Sequence, residues 1–267
     1  IMKLASAPHH RAAGRVLAIA SGKGGVGKTT LAVGMARALS LMDERVLLMD
    51  GDLGMANIDV QLGLQPRADI VNVLSGKTSL EDAVCPAIGG AAERGGFDVI
   101  SGRSGSGALA NLSGPGLTKL ATGVAALALS YDRAILDLAA GADRATVRLA
   151  LTADDVIIVI NDEPTSLTDA YAFVKTLRLH DEGASPLVVV NNAPNANAAR
   201  DAFGAFRKTC ESFLSFTPTL AGIVRRDATV PAAIRTQTCV AVRAPDCDAA
   251  KDYHSLAGIL ARGREAA

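Results

Sequence analysis

The chain has 267 residues, 49% of them hydrophobic and 20% charged, a balance that predicts a folded domain with a sizeable core. Its 27 basic and 27 acidic residues cancel, which excludes a general attraction to nucleic acid or acidic membranes and leaves only local patches. Aromatic residues make up 3%, without tryptophan, so a base-stacking platform for nucleic acid is not expected.

The cysteine pattern and the hydropathy of the chain indicate the cellular compartment in which the protein is expected. The four cysteines, Cys85, Cys210, Cys239 and Cys247, form no C-x-x-C pair, so reduced thiols are expected rather than a zinc site or disulfides. No apolar run reaches transmembrane length, and no signal-peptide core begins the chain. These features predict a cytoplasmic protein.

The clearest motif lies between an apolar run at residues 16–20 and a helical pattern at residues 31–42. The run S-G-K-G-G-V-G-K-T-T at residues 21–30 contains the phosphate-loop pattern G-x-x-x-x-G-K-[ST] in the strand–loop–helix context that supports it. Glycines let backbone N–H groups curl around a polyphosphate, and the helix N-terminus adds partial positive charge. Lys28 would reach the β- and γ-phosphates, and Thr29 would ligate Mg²⁺. The predicted nucleotide-binding residues here are Gly22, Gly24, Gly25, Val26, Gly27, Lys28, Thr29 and Thr30.

Acidic residues follow two further predicted strands. Asp50 and Asp52 come at the end of an apolar run at residues 46–50, and Asp137 ends another at residues 133–137. Because ligands of parallel α/β sheets bind at the carboxyl ends of strands, these acids are expected beside the phosphate loop. A strand ending in aspartate is also the Walker B arrangement, in which the carboxylate holds Mg²⁺ through a bound water. Single acids at such places are often turn formers, and the grouping here favours function.

The other predicted elements follow from apolar periodicity. Strands are expected at residues 97–100, 155–160, 186–192 and 219–224, and helices at residues 117–129, 203–214 and 252–262. Before the strand at 97–100, one helix is expected to end at residues 74–76 and another to begin at Ser79. Thr165 or Ser166 is expected to cap a helix. The glycine-rich residues 101–107 lack a following G-K-[ST] and are interpreted as a surface loop.

The end of the strand at residues 186–192 bears on the base of the nucleotide. Guanine needs a carboxylate acceptor, as in the motif N-K-x-D, and the sequence N-N-A-P at residues 191–194 has no such aspartate. An amide both donates and accepts hydrogen bonds, so adenine fits this strand end better than guanine.

A second lysine, Lys23, lies inside the phosphate loop. The run K-G-G-V-G-K-T-T at residues 23–30 resembles the deviant Walker motif of the MinD/ParA family of P-loop ATPases. The resemblance implies that Lys23 crosses a dimer interface to the phosphates of the partner's ATP, which would make dimerisation depend on the γ-phosphate. An exposed lysine is otherwise simply solvated.

Three more stretches resemble the FlhG (FleN) branch of that family, whose members regulate flagellar number. They are D-G-D-L-G-M-A-N-I-D at residues 50–59, D-L-A-A-G at residues 137–141 and, most specifically, E-P-T-S-L-T-D-A-Y at residues 163–171. The resemblance implies catalytic roles for Lys23, Lys28 and Asp52, with Asp52 orienting the attacking water, and a magnesium shell of Thr29, Asp50 and Asp137. It also implies that Gly141 senses the γ-phosphate, that Asn191 contacts adenine, and that Arg226 and Asp227 are base contacts.

The sequence therefore predicts an α/β fold, a doubly wound, mostly parallel sheet with helices on both faces. Residues 1–14 are expected to form a flexible tail, residues 15–248 the P-loop ATPase domain, and residues 249–267 a C-terminal amphipathic helix and tail. The resemblance implies a slow Mg²⁺-dependent ATPase that binds ATP, forms a homodimer with ATP bound, and controls flagellar number or placement through flagellar assembly or regulatory proteins.

Several alternatives stay open. A MinD-like ATPase would act at the division site, a ParA-like ATPase in chromosome or plasmid partition, and a metabolic P-loop kinase or synthetase on a small acceptor. Scattered solvated arginines are favoured over a DNA-binding patch of Arg225, Arg226, Arg235 and Arg243. The C-terminal helix is expected to dock on the domain, with weak membrane contact at the inner membrane or a cell pole as the alternative. Residues 1–14 lack D-Q-A-x-x-L-R, so stimulation of the GTPase FlhF through that element is not predicted.

Overall fold

The computed structural model describes residues 14–52, 54–104 and 114–262. The described residues form one eight-stranded sheet in the order β3-β4-β2-β5-β1-β6-β7-β8. Every neighbouring pair is parallel except β3 and β4, which are antiparallel. The strands are β1 (Arg15–Ser21), β2 (Val46–Gly51), β3 (Cys85–Ala87), β4 (Phe97–Ile100), β5 (Arg133–Ala140), β6 (Asp155–Ile160), β7 (Leu187–Ala193) and β8 (Thr219–Arg225). The predicted mostly parallel α/β sheet is confirmed.

Helices cover both faces of the sheet. They are α1 (Lys28–Leu41), α2 (Ile58–Leu62), α3 (Ile70–Leu74), α4 (Gly114–Ala128), α5 (Arg144–Ala150), α6 (Pro164–His180), α7 (Ala196–Leu214), α8 (Thr229–Arg235), α9 (Val240–Arg243) and α10 (Asp248–Arg262). Alternate residues of β1 enter two separate cores, because successive side chains of a strand point to opposite faces. Ala18 belongs to the core with α4 to α7, and Leu17 and Ile19 belong to the core with α1 and α10.

The centre of the sheet determines where a ligand can bind. β1 pairs with β5 on one side and β6 on the other, and the chain runs outward in both directions from this point. In doubly wound sheets, the crevice at such a reversal of strand order, at the carboxyl ends of the strands, is where ligands bind. The loop after β1 and the ends of β5 and β6 therefore meet at one edge.

The region before β4 differs in part from the prediction. As expected, α3 ends at Leu74, and Gly76 follows with a φ of 72°. Ser79 begins no helix: its hydroxyl donates to the Asp82 carboxylate (2.9 Å) and accepts from the Asp82 N–H (3.1 Å), as a cap would, but only a single turn follows. The chain then enters β3, a strand that the sequence did not predict. Pro86 lies in β3 and lacks a backbone donor, which an edge strand tolerates.

The C-terminal helix α10 packs against the domain. Tyr253, Leu256 and Leu260 are buried in the core that includes α1, and Tyr253 lies over Gly34, where an added Cβ would come within 2.4 Å of the ring. Because the apolar face of α10 is already covered, membrane contact through this face would require the helix to undock. Among the described residues, no helix has the length and apolar composition needed to cross a bilayer.

Candidate functional site

The loop between β1 and α1 is shaped by glycine at its critical positions. Gly25 and Gly27 have φ values of 79° and 90°, in the left-handed region that residues with a Cβ avoid. A Cβ on Gly27 would also lie 2.3 Å from the Asn191 amide nitrogen, and a Cβ on Gly22 would lie 2.0 Å from the backbone of Asp169. The loop therefore fits closely between β7 and α6. Its glycines allow left-handed backbone angles at some positions and close packing against neighbouring residues at others.

Lys28 is buried at the start of α1. Only 8% of the residue is exposed. Burial lowers the pKa of its ammonium, and the charges of Asp137 and Asp52 partly oppose that shift. Lys28 thus lies near Asp137 of β5 and near Asp52, which follows β2, in a place that suits contact with a nucleotide bound by its own subunit.

Asp137 lies in the buried part of β5 and accepts a hydrogen bond from the Thr29 hydroxyl. Burial and the neighbouring charge of Asp50 raise its pKa to about 7, while Thr29 and Lys28 oppose the rise. One of its carboxylate oxygens is buried and has no hydrogen-bond partner within the described residues. A buried carboxylate oxygen without a partner is unfavourable, so the arrangement suits a bound cation or its water ligands.

Asp50 is held differently from Asp137. Its carboxylate accepts from the backbone N–H groups of Asp52 (3.1 Å), Asn57 (2.9 Å) and Ile58 (3.1 Å). Burial nevertheless raises the pKa of Asp50 to about 6, since these hydrogen bonds only partly offset desolvation. Asp50 therefore fixes the course of the loop after β2, and its role in a magnesium shell stays a prediction.

The donor set fits a single Mg²⁺ ion. Thr29 and Asp137, which are hydrogen-bonded to each other next to the phosphate loop, would hold such an ion through their oxygen atoms, either directly or through water. Over residues 14–52, 54–104 and 114–262 there is no group of three His, Cys, Asp or Glu side chains able to hold a metal. Mg²⁺ in phosphate-loop proteins needs no such cage, because substrate phosphates and waters complete its coordination.

Asp52 lies at the exposed side of this cluster. Its Oδ1 accepts from the N–H groups of Gly54 (3.2 Å) and Met55 (2.9 Å), which form a tight turn. It is also close enough to Lys28 to raise the pKa of that lysine. One carboxylate oxygen is therefore engaged by the turn, and the other has no hydrogen bond to any described residue that would hinder contact with water.

Lys23 projects from the mouth of the loop and contacts α6. Its ammonium donates to the Glu163 carboxylate (2.5 Å) and to the Thr165 hydroxyl (2.9 Å). The predicted caps of α6 are wrong, because the helix begins at Pro164 and its N-cap residue is Glu163. The Thr165 hydroxyl accepts from Lys23, and the Ser166 hydroxyl accepts from the N–H of Asn161 (3.2 Å). Proline has no backbone N–H, so at the first helical position it needs no hydrogen-bond acceptor from a capping residue.

A cavity of about 520 Å³ lies on the other side of the loop, beside Gly25 and Thr30. Asn191, Arg226 and Asp227 line it, so all three predicted base contacts adjoin one cavity. The amide nitrogen of Asn191 donates to the carbonyls of Val26 (2.8 Å) and, at the limit, Gly27 (3.5 Å). Its donor group is thus engaged by the phosphate loop, which leaves the amide oxygen for a base.

The carboxylate of Asp227 is engaged within the protein. It accepts from the N–H and hydroxyl of Thr229 (2.9 and 2.6 Å) and from the N–H of Ala249 in α10 (3.3 Å). The Thr229 hydroxyl is the main reason that its pKa falls to about 2. Arg226 donates to the Asn192 side chain (3.3 Å). The described contacts therefore give Asp227 a structural task, and its contact with a base stays a prediction.

Gly141 follows β5 at the opposite side of the loop. It has a φ of 97°, and its N–H donates to the Ser21 carbonyl (2.9 Å). An added Cβ would have no neighbour within 4 Å, so backbone angle rather than crowding favours glycine. The predicted role of Gly141 in sensing a phosphate would require this hydrogen bond to be exchanged.

Sequence reasoning did not assign the partners of Lys23. Glu163 and Thr165 lie in the run E-P-T-S at residues 163–166, which the sequence links only to a family resemblance and to a helix cap. The position of the run in the chain was a signal that its residues lie near Lys23. The run follows β6, and β6 pairs with β1, so the run comes close to the loop after β1.

The chain is similar to known proteins over most of its length. Residues 17–238 match the family model of the CobQ/CobB/MinD/ParA nucleotide binding domain. The chain is 33% identical to the antiactivator FleN of Pseudomonas aeruginosa over 244 residues, which is 91% of this chain and 85% of that protein. It is 32% identical to the flagellum site-determining protein YlxH of Helicobacter pylori over 161 residues, 60% of this chain and 53% of that one. The septum site-determining protein MinD of Pyrococcus horikoshii, solved with Mg-ADP, superposes with a TM-score of 0.75 at 24% identity, covering 92% of this chain and 95% of the other.

Proposed function

The chain belongs to the CobQ/CobB/MinD/ParA nucleotide-binding family, and from that membership we propose that it is an ATP-hydrolysing switch that dimerises with ATP bound and controls flagellar number or placement. The observation that carries the proposal is the division between the two lysines of one loop. Lys28 is buried among the acids of its own subunit, while Lys23 extends outward from the loop mouth. One lysine suits a nucleotide in cis, and the other suits a group presented by a second copy.

The chemistry assigned to the site is hydrolysis of the terminal phosphate. The glycine loop and Lys28 bind the polyphosphate and disperse its charge, and Asp52 orients the attacking water. Thr29 and Asp137 hold Mg²⁺, which when bound neutralises phosphate charge and stabilises the charge that develops on hydrolysis. Loss of the γ-phosphate would remove the group that Lys23 pairs with across the interface, so hydrolysis would part the dimer.

The flagellar assignment is supported by relatives rather than by geometry. The relative aligned over 91% of the chain is an antiactivator named FleN, and the name of YlxH refers to determination of flagellar site. A ParA-like role on DNA has less support, because Arg225 is ion-paired with Asp248 and Asp252. A second protein of the flagellar assembly or regulatory machinery is the partner that this role requires.

Sedimentation velocity with defined nucleotides tests the dimer. We expect wild-type protein to be monomeric with Mg-ADP and dimeric with a non-hydrolysable ATP analogue. Lys23→Ala should bind ADP with unchanged affinity and remain monomeric with both nucleotides, because Lys23 is not a contact to its own nucleotide. A Lys23→Ala variant that dimerises as wild type does would remove the role across the interface.

Complementation tests the biological output. Expression in a Pseudomonas aeruginosa strain lacking FleN, with flagella counted by electron microscopy, should return the count toward the parental value for wild type and not for Lys23→Ala. A filter-binding titration with non-specific DNA at several salt concentrations separates the partition alternative, which predicts strong and salt-dependent retention. DNA retention combined with an unchanged flagellar count would replace the flagellar role with partition.

A further inference from the structure

The helix α8 forms one wall of the cavity beside the phosphate loop. Val230, Pro231 and Ile234 of α8 line this cavity of about 520 Å³, together with the predicted base contacts. The start of α8 is fixed, because the N–H and hydroxyl of Thr229 donate to the Asp227 carboxylate. A base bound in this cavity, the base cavity, would therefore pack against α8.

The residue that follows α8 has an unfavourable backbone angle. The helix ends in two crossed hydrogen bonds, from the N–H of Gln237 to the Ile234 carbonyl (3.0 Å) and from the N–H of Thr238 to the Ala233 carbonyl (3.1 Å). This ending places residue 237 in the left-handed region, and Gln237 has a φ of 51°. Glycine is the usual residue there, since a Cβ makes the angle costly. A glutamine at this position indicates a role for its side chain.

The Gln237 side chain reaches the end of α2. Its amide Nε2 donates to the Val60 carbonyl (3.1 Å), which also accepts a longer hydrogen bond from the Gly63 N–H (3.4 Å). Gly63 ends α2 with a φ of 64°, and an added Cβ would lie 3.3 Å from the Gln237 Cβ. The last carbonyls of a helix have no partner within the helix, so Gln237 caps α2. A five-residue helix depends on such contacts, because most of its backbone groups lie at its ends.

The start of α2 is joined to the acidic loop after β2. The Asp50 carboxylate accepts from the N–H groups of Asn57 (2.9 Å) and Ile58 (3.1 Å). Asp52 lies in the loop between β2 and α2, and Ile58 is buried in the core. The helix α2 therefore connects the loop that carries Asp52, at one end, with Gln237 and α8 at the other.

Resting on the proposed function, we propose that Gln237 is a positioning residue: by capping α2 it ties the loop that carries Asp52 to α8, so that a base bound against α8 holds Asp52 in place for hydrolysis. The base takes no part in the chemistry, yet its binding contributes to kcat through this contact. A ligand that fills the phosphate loop without a base leaves α2 less protected from local opening.

Hydrogen exchange tests the connection in the monomer. Mg-ADP and Mg-pyrophosphate are compared at concentrations that slow exchange in α1 equally, since both contact the phosphate loop and ADP alone carries a base. In the wild type, Mg-ADP should slow exchange of the α2 amides about 2- to 10-fold more than Mg-pyrophosphate does, which is the range for one hydrogen bond. Equal protection of α2 by the two ligands overturns the connection.

Gln237→Gly separates positioning from simple helix capping. If Gln237 merely ended α8, glycine would replace it without loss, because glycine adopts this φ freely. For a positioning residue, the extra protection of α2 by ADP should disappear and kcat for ATP should fall about 2- to 10-fold. The ADP affinity and the midpoint of thermal unfolding should stay close to those of wild type. Gln237→Glu, which keeps the length of the side chain but loses its donor, should give the same result.

Gln65→Glu is the matched control. Gln65 is exposed beyond the end of α2 and makes no side-chain hydrogen bond or ion pair within the described part of the chain, so its variant makes the same change of charge as Gln237→Glu. It should behave as wild type does in exchange and in turnover. An equal loss in Gln65→Glu overturns the role of Gln237, since general charge would then explain the effect.

The outcomes separate the two proposals. Wild-type kcat in both Gln237 variants, or protection of α2 by ADP that persists in them, overturns the positioning role and leaves the switch intact. A wild type that does not hydrolyse ATP overturns the proposed function and with it any part of Gln237 in hydrolysis. Exchange in α2 still decides in that case whether Gln237 connects α2 to the base cavity.

Discussion

The two lysines of the phosphate loop have the same side chain and opposite surroundings. Lys28 lies in a buried cluster where desolvation lowers its pKa and two acids, Asp137 and Asp52, partly restore it. Lys23 lies at the surface, paired with Glu163 and Thr165, in a place where water competes for every contact. Position in the loop, rather than residue type, therefore gives Lys28 a buried environment and Lys23 an environment that solvent can reach. Replacing each group around Lys28 should therefore have larger effects than replacing those around Lys23.

Lys28→Ala should produce the largest loss. Removing one partner of a buried charge cluster typically weakens binding by about 2–5 kcal/mol, which is roughly 30-fold to several thousand-fold in ATP affinity. Isothermal titration calorimetry measures the loss directly. Lys208→Ala, at an exposed position of α7, is the control and should bind as wild type does. Near-normal affinity in Lys28→Ala would break the contrast between the two lysines.

Asp52→Asn should reduce turnover by about 100-fold, the lower range for removal of a group that positions or activates water. Asparagine is chosen because its side-chain oxygen can still accept from Gly54 and Met55, so the turn after β2 is kept. ATP binding should persist, and dimers should accumulate with ATP. A phosphate-release assay beside sedimentation measures both effects. Turnover close to wild type would remove Asp52 from the chemistry, and Asp59→Asn in the first turn of α2 should keep wild-type turnover.

The pH dependence of stability should follow Asp137. Its pKa in the folded protein is raised to about 7 from 3.8, so the folded state binds more protons than the unfolded state between those values. The free energy of unfolding of the nucleotide-free protein should therefore fall as pH rises from about 4 to about 7. Asp137→Asn should remove much of this fall and be more stable than wild type at pH 8 by roughly 2 kcal/mol, with the gap closing toward pH 5.

Urea unfolding at several pH values measures that difference. Glu163→Gln is the informative comparison, because the pKa of Glu163 lies below its ordinary value and the group stays ionised from pH 5 to 8. Its offset from wild type should be constant across the range. A gap between Asp137→Asn and wild type that does not change with pH would contradict the buried, proton-binding state of Asp137.

Local chemistry made the loop and the central strands predictable from sequence. Gly27, Lys28 and Thr29 in a strand–loop–helix context are typical of a phosphate loop. Apolar runs such as those of β1 and β6 are typical of buried parallel strands. The strand β3 was missed since three residues with a proline carry no periodic signal. The helix expected at Ser79 was wrong because a capping residue closes an isolated turn as readily as it starts a helix.

The contacts of the site were less predictable than its members. Lys23 and Glu163 are 140 positions apart, and only the pairing of β6 with β1 brings them together. The use of the Asn191 amide by a loop carbonyl depends on an approach that a Cβ on Gly27 would prevent. Residue types thus indicated which residues belong to the site, whereas the order of the strands in the sheet determined which of them are in contact.

The hydrogen bond from the Asn191 amide to the Val26 carbonyl links the predicted base contact to the phosphate loop. Asn191, a predicted base contact at the edge of the cavity, also braces the phosphate loop. Under the proposed function, a substitution of Asn191 that changes base selectivity would also weaken the binding of the phosphates. The two properties would then be coupled through Asn191, and the affinity for inorganic triphosphate, which has no base, would measure that coupling.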